Sequence, residues 1–221
     1  MSPLLIGGLL AGGLIILVCI GFISHSLERN RLEKARQTAE LNARIKVCRQ
    51  ATGALPGQFL PAELGTLMLQ IEISLLERLQ RIGKSQDVQQ RLDQARAAQT
   101  EGKVPSNPPV ELDSEARGKE ARLQLENLFK QLQQAERDGL IDNATLKHWG
   151  THVRRSLITA NLETFNATAK QAMSQGKPRV AKLQYERAIA FITKLNNPSL
   201  AKHLEHYKQL LKRAEAAVIA Q

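Results

Sequence analysis

The sequence predicts an all-α protein: an N-terminal single transmembrane helix, a stalk helix, and an antiparallel helical bundle or short helical array. Three observations carry the prediction. Leu, Ala, Gln, Glu, Lys and Arg dominate while aromatics make up only 4% of the chain, a composition of strong helix formers. Gly and Pro cluster at a few points, and between them apolar residues recur at steps of three and four rather than alternating. Leu4 to Ile23 is a run of twenty residues without a charge, thirteen of them Leu, Ile, Val or Phe.

At roughly 1.5 Å per residue that run matches a hydrocarbon core of ~30 Å, so residues 1–23 are expected to form a membrane anchor in the lipid bilayer. Only the amino terminus, Ser2 and Pro3 precede it, whereas Arg29, Arg31, Lys34, Arg36, Arg44, Lys46 and Arg49 follow. Basic flanks stay on the cytoplasmic side, which places the N-terminus outside and the remaining chain in the cytoplasm, at the plasma membrane or a bacterial inner membrane. A cleaved leader would need a basic start and a shorter apolar core, and this chain has neither. Gly8 and Gly12 form a small-xxx-small pair that favours close helix packing and a homo-oligomer through the membrane helix. The two cysteines, Cys19 in the anchor and Cys48 beyond it, cannot bridge and fit a reducing compartment.

Residues 24–52 are expected to continue the helix as a basic stalk, net +4, with two narrow seams: Leu32, Ala35 and Ala39, and Leu41, Ile45 and Cys48. The stretch from Gly53 to Pro61 breaks it with two Gly and two Pro. Residues 61–100 read as an apolar helical hairpin. Glu63 to Ile82 carries Leu64, Met68, Ile71, Leu75 and Leu79 on a broad apolar face and is the expected centre of the fold. After Gly83, Ser85 is placed to cap a polar helix running to about Thr100. Residues 101–113 hold three of the eight prolines, which excludes regular structure and predicts an exposed linker open to proteolysis.

Residues 114–221 form the last helical domain. Ser114 to Asp138 is amphipathic through Ala121, Leu125, Leu128, Leu132 and Ala135. Gly139 ends it as a left-handed cap and Asp142 or Asn143 starts the next helix, which runs to about Gln175 with a possible bend at Gly150. Gly176 and Pro178 break that helix, Arg179 to Leu195 forms another, and Asn196, Asn197 and Pro198 end it. Ser199 is placed to cap a final helix from Ala201 to Ala220.

Within Leu162 to Leu195, Gly176 sits at the turn between two helices. Ala181, Tyr185 and Ala188 follow on the second helix, and Phe165, Ala169 and Ala172 offer a matching face on the first. This hairpin resembles a single tetratricopeptide repeat, with Pro178 where that motif usually has an aromatic residue, Pro198 later than its closing proline, and no second copy ~34 residues upstream. The resemblance implies a partner-binding groove; the alternative is a plain helical hairpin.

The formal charge is +10, and the C-terminal hairpin concentrates it. From Lys177 to Arg213 there are nine basic residues (Lys177, Arg179, Lys182, Arg187, Lys194, Lys202, Lys208, Lys212 and Arg213) against Glu186 and Glu205. With Tyr185 and Tyr207 available for stacking, this face is a candidate surface for a protein partner, acidic lipid or nucleic acid. His148 and His152 stand one turn apart, and His203 and His206 three residues apart. No third ligand, HExxH or paired CxxC accompanies either pair, so they read as surface histidines and no metal is expected. Gly83, Gly102, Gly118 and Gly176 each precede a Lys without the upstream glycine of a phosphate loop, and no GxSxG occurs. No catalysis and no cofactor are expected. The sequence reading is a membrane-anchored scaffold or adaptor holding a protein partner or acidic lipid at the cytoplasmic face, with a membrane tether for nucleic acid as the alternative.

Overall fold

The structure, a computed structural model, describes the backbone of residues 3–103 and 106–220 and the side chains of residues 25–103 and 106–220. Among the described residues there are seven helices and no strand. They are α1 (Pro3–Ala54), α2 (Ala62–Ile82), α3 (Gln86–Thr100), α4 (Glu115–Arg137), α5 (Asn143–Ser174), α6 (Pro178–Leu195) and α7 (Ala201–Ile219), with 3-10 turns at Gly57–Phe59 and Pro198–Leu200. Their packing follows a line: α3 on α2, α2 on α1, α1 on α4, α4 on α5, α5 on α6 and α6 on α7. Short loops make consecutive helices antiparallel neighbours. The contact of α1 with α4 is the exception, since the two are distant in sequence.

Local chemistry explains where the helices begin and end. Ser114 accepts a hydrogen bond from the Arg117 amide at 3.3 Å and Asp142 accepts one from Thr145 at 2.7 Å, each satisfying an otherwise orphaned amide of the first turn. Ser85 occupies the N-cap of α3 in extended backbone but makes no side-chain cap. Ser199 does not cap α7, which starts after Leu200 without a side-chain cap; Asn197 instead caps the preceding 3-10 turn, its side chain accepting from the Ser199 amide at 3.0 Å. Gly139 and Gly176 adopt φ of 70° and 66° just past α4 and α5. That left-handed backbone is open to glycine at little cost. α5 runs through Gly150 without interruption; a Cβ there would lie 3.0 Å from the Phe129 ring, so the glycine lets the helices cross closely.

Two cores share α5. The first joins Ile45, Cys48 and Ala51 of α1 to α2, α3, α4 and the first half of α5 through Val153 and Ala160. The second joins Leu162, Ala169 and Ala172 of α5 to α6 and α7. The stalk helix therefore divides: Leu32 is 67% exposed on its free part, while the seam from Ile45 to Ala51 is core.

Residues 106–113 of the proline-rich segment lack regular structure but are docked. The Asn107 amide donates at 2.7 Å to both the Thr52 and Leu55 carbonyls, filling acceptors that the end of α1 leaves open. Gln58 makes two hydrogen bonds with the Val110 backbone, the Gly57 amide donates to the Pro108 carbonyl at 3.1 Å, and Leu112 is buried. Residues 106–113 form a strap across the end of α1.

The membrane placement needs correction. Among the described residues no helix is long and apolar enough to cross a membrane. α2, the expected apolar centre, carries Glu63, Glu72, Glu77, Arg78 and Arg81 and buries its apolar face against protein. The run from Leu4 to Ile23, with Gly8 and Gly12, lies outside the described side chains. The single-pass, plasma-membrane localisation, with an outer N-terminus and a cytoplasmic domain, is accordingly not supported.

Candidate partner-binding surface

α6 and α7 close on α5 through small residues and two tyrosines. Ala181, Ala188 and Ala214 are at most 1% exposed, which lets the helices approach, and Tyr185 and Tyr207 fill the remaining space with ring centroids 6.3 Å apart. The Tyr207 hydroxyl donates to the Leu162 carbonyl at 2.8 Å, tying α7 to α5. Burial, with smaller contributions from Tyr185 and Glu163, pushes this phenol up to about 12. Burial likewise raises the Tyr185 phenol. The faces read from the repeat-like pattern do meet: Ala169, Ala172, Ala181, Tyr185 and Ala188 share this core, with Phe165 packed against it.

That packing corrects one candidate. Tyr185 was expected on the binding surface, yet it is 4% exposed, as is Tyr207. A ring that fills a helix crossing is not available to stack on a base.

The basic candidates do sit outside. Arg179, Arg187, Lys202, Lys208, Lys212 and Arg213 are exposed. Lys177 precedes α6 and donates to the Gln175 side chain at 3.2 Å. Lys182 lies between Glu215 of α7 at 3.2 Å and Glu186 at 3.8 Å, bracing α6 against α7, and Lys208 pairs with Glu205 at 3.9 Å. No acidic residue pairs with Arg179, Arg187, Lys202, Lys212 or Arg213 among the described residues. At about 100° per residue, Lys202 and Arg213 share one face of α7 and Lys208 and Lys212 a neighbouring one. The charges are spread over two helices, which suits an extended acidic surface better than a single phosphate.

Sequence reasoning missed the apolar residues among these charges. Val180 is 43% exposed and Leu183 46%, both on the outer side of α6. A spacing of three between two apolar residues does not say which side of a helix is covered.

The Cys48 thiol is buried and pushed up to about 12, chiefly by desolvation, so it is a poor nucleophile. His152 Nε2 lies 3.2 Å from the Phe59 carbonyl, and Trp149 stands edge-on to both His148 and His152. Among the described residues no group of three His, Cys, Asp or Glu could hold a metal. A groove of about 670 Å³ runs between the strap and α5, lined by Val110, Glu111, Asp113, Glu163, Asn166 and Lys170 among others. Burial raises the Glu163 carboxyl, and the Asn166 Oδ1 is buried without a hydrogen-bond partner.

No family model matches the chain, and no curated protein or solved structure matches it.

Proposed function

We propose that the chain is a non-catalytic helical scaffold that holds an acidic protein partner on its α6–α7 surface. The observation that carries this reading is the set of exposed cations without acidic partners, Arg179, Arg187, Lys202, Lys212 and Arg213, on helices whose inner faces are fully committed to packing. A solvated lysine face of a self-sufficient domain gains from interleaved carboxylates, and here they are sparse. The burial of Tyr185 and Tyr207 weighs against nucleic acid as the partner.

The test uses the full chain and fluorescence anisotropy with three probes: a labelled Glu/Asp-rich peptide, a single-stranded oligonucleotide, and vesicles containing an anionic lipid. The acidic peptide is expected to bind, to weaken as salt shortens the Debye length to about 8 Å, and to be lost in the Lys202→Glu, Lys208→Glu, Lys212→Glu variant. Peptide binding that ignores both salt and charge reversal would refute the reading. Tighter charge-dependent binding of the oligonucleotide or the vesicles would replace it.

A further inference from the structure

On α6, Val180, Leu183, Arg187, Ala190 and Lys194 recur at steps of three, four, three and four. That is the spacing of the seam along which one helix of a two-stranded coil meets its partner. The neighbours of α6 leave this seam free. α5 lies on the side of Phe191, whose ring meets Phe165 with centroids 6.2 Å apart. α7 lies on the side of Lys182, which reaches Glu215. The seam faces neither, and all five of its residues are exposed. From Val180 to Lys194 it extends about 21 Å, four turns of helix.

The charge of the seam selects its occupant. Arg179, Arg187 and Lys194 line it without an ion pair among the described residues, and Glu186 beside it lies 3.8 Å from Lys182. A second copy laid along the same face would set Arg187 and Lys194 among like charges while excluding water from them, which is unfavourable. Nucleic acid would use the cations but leave Val180 and Leu183 without a role.

Resting on the proposed scaffold function, we infer that the partner presents an amphipathic helix that lies along α6. Its apolar residues cover Val180, Leu183 and Ala190, and its Glu or Asp residues meet Arg187 and Lys194. This is helix-on-helix recognition, in which apolar contact supplies affinity and the charges interspersed with it fix partner choice and orientation.

Two synthetic peptides of about three heptads serve as probes, one with Leu at the positions that face Val180, Leu183 and Ala190 and Glu at those that face Arg187 and Lys194, the other with Lys in place of Glu. Titrated against the full chain, the Glu peptide is expected to bind and the Lys peptide not. Leu183→Glu should weaken binding of the Glu peptide by roughly tenfold or more, since it places a charge on the seam. Arg187→Glu with Lys194→Glu should reverse the preference toward the Lys peptide. Leu183→Gln accompanies Leu183→Glu, and thermal melts followed by circular dichroism establish that each variant is folded.

Failure of the Glu peptide to bind, or binding that both Leu183 variants leave intact, overturns the inference. If those variants bind normally while the Lys202, Lys208 and Lys212 reversal abolishes binding, the helix seam fails and the broader scaffold function stands. Loss of neither refutes both. A wild-type dimer in sedimentation that Leu183→Glu dissolves would assign the seam to a second copy and also overturn the inference.

Discussion

Asp138, at the C-cap of α4, offers the most discriminating test of the packing. Its carboxylate lies 2.7 Å from Arg44 Nη1 of α1 and 3.5 Å from Arg78 Nη1 of α2, and the Arg78 Nη2 donates to the Asp138 carbonyl at 3.0 Å. Three helices are thereby joined at one residue. The Arg44 contact is close but poorly aligned, because Arg44 Nε and Nη2 and Asp138 Oδ2 are all buried without a hydrogen-bond partner. It is a charge pair with little hydrogen bonding, and the Arg44 side chain is only 14% exposed. Asp138→Ala would leave that guanidinium buried and uncompensated, at a cost of about 3 kcal/mol or more. For a chain of this size that lowers Tm by about 6–12 °C, at about 2–4 °C per kcal/mol. Replacing both partners, Arg44→Met with Asp138→Leu, removes the charge as well as its partner and should restore most of the loss. Urea and thermal unfolding of Asp138→Ala, of the single variants Arg44→Met and Asp138→Leu, and of the double variant, followed by circular dichroism, measure the coupling. A loss under about 1 kcal/mol for Asp138→Ala, or a double variant as unstable as that single one, would refute the account of a buried charge held by its partner.

Further outcomes follow from close approaches and from Tyr207. A Cβ at Gly57 would run into the Asn107 carbonyl, a backbone group that cannot yield cheaply, so Gly57→Ala should release the strap and speed limited proteolysis within residues 101–113. A Cβ at Gly118 would meet Thr164, whose hydroxyl is committed to the Ala160 carbonyl at 2.7 Å; Gly118→Ala should cost about 1–3 kcal/mol, and Thr164→Ala should rescue it. The Tyr207 phenol is raised from 10.0 to about 12 in the folded chain, so the unfolded chain loses its proton first. Its contribution to stability is complete below the unfolded value and declines as pH climbs through that window. Alkaline unfolding should therefore be less steep in Tyr207→Phe, which also loses about 0.5–1.5 kcal/mol of hydrogen bonding, and equal pH profiles would refute the assignment.

Much of the secondary structure was legible in the sequence because its signals are local. The Gly139 to Asp142 turn, the Gly176 to Pro178 break and the Asn196 to Pro198 stop fall where the backbone requires a left-handed residue, a cap or a missing amide, and all of these act within about one turn. Even so, the capping side chain was misread at Ser85 and Ser199, since neither α3 nor α7 has a side-chain cap and Asn197 caps the 3-10 turn before α7. Of the candidate surface, the exposed cations were legible from charge density, and Val180 and Leu183 were not.

The sequence by itself determined the all-α class, the helix limits and the strongly basic C-terminal hairpin, because propensity, turn chemistry and charge belong to residues and their near neighbours. Only the tertiary structure decided that Tyr185 packs inward, that Ile45 to Ala51 is core rather than stalk, and that Asn107 pins a proline-rich segment to the end of α1. The physical reason is the same in each case. Which side of a helix is buried depends on what packs against it, and the acceptors that hold Asn107 lie some fifty residues away, at sequence separations of 55 and 52.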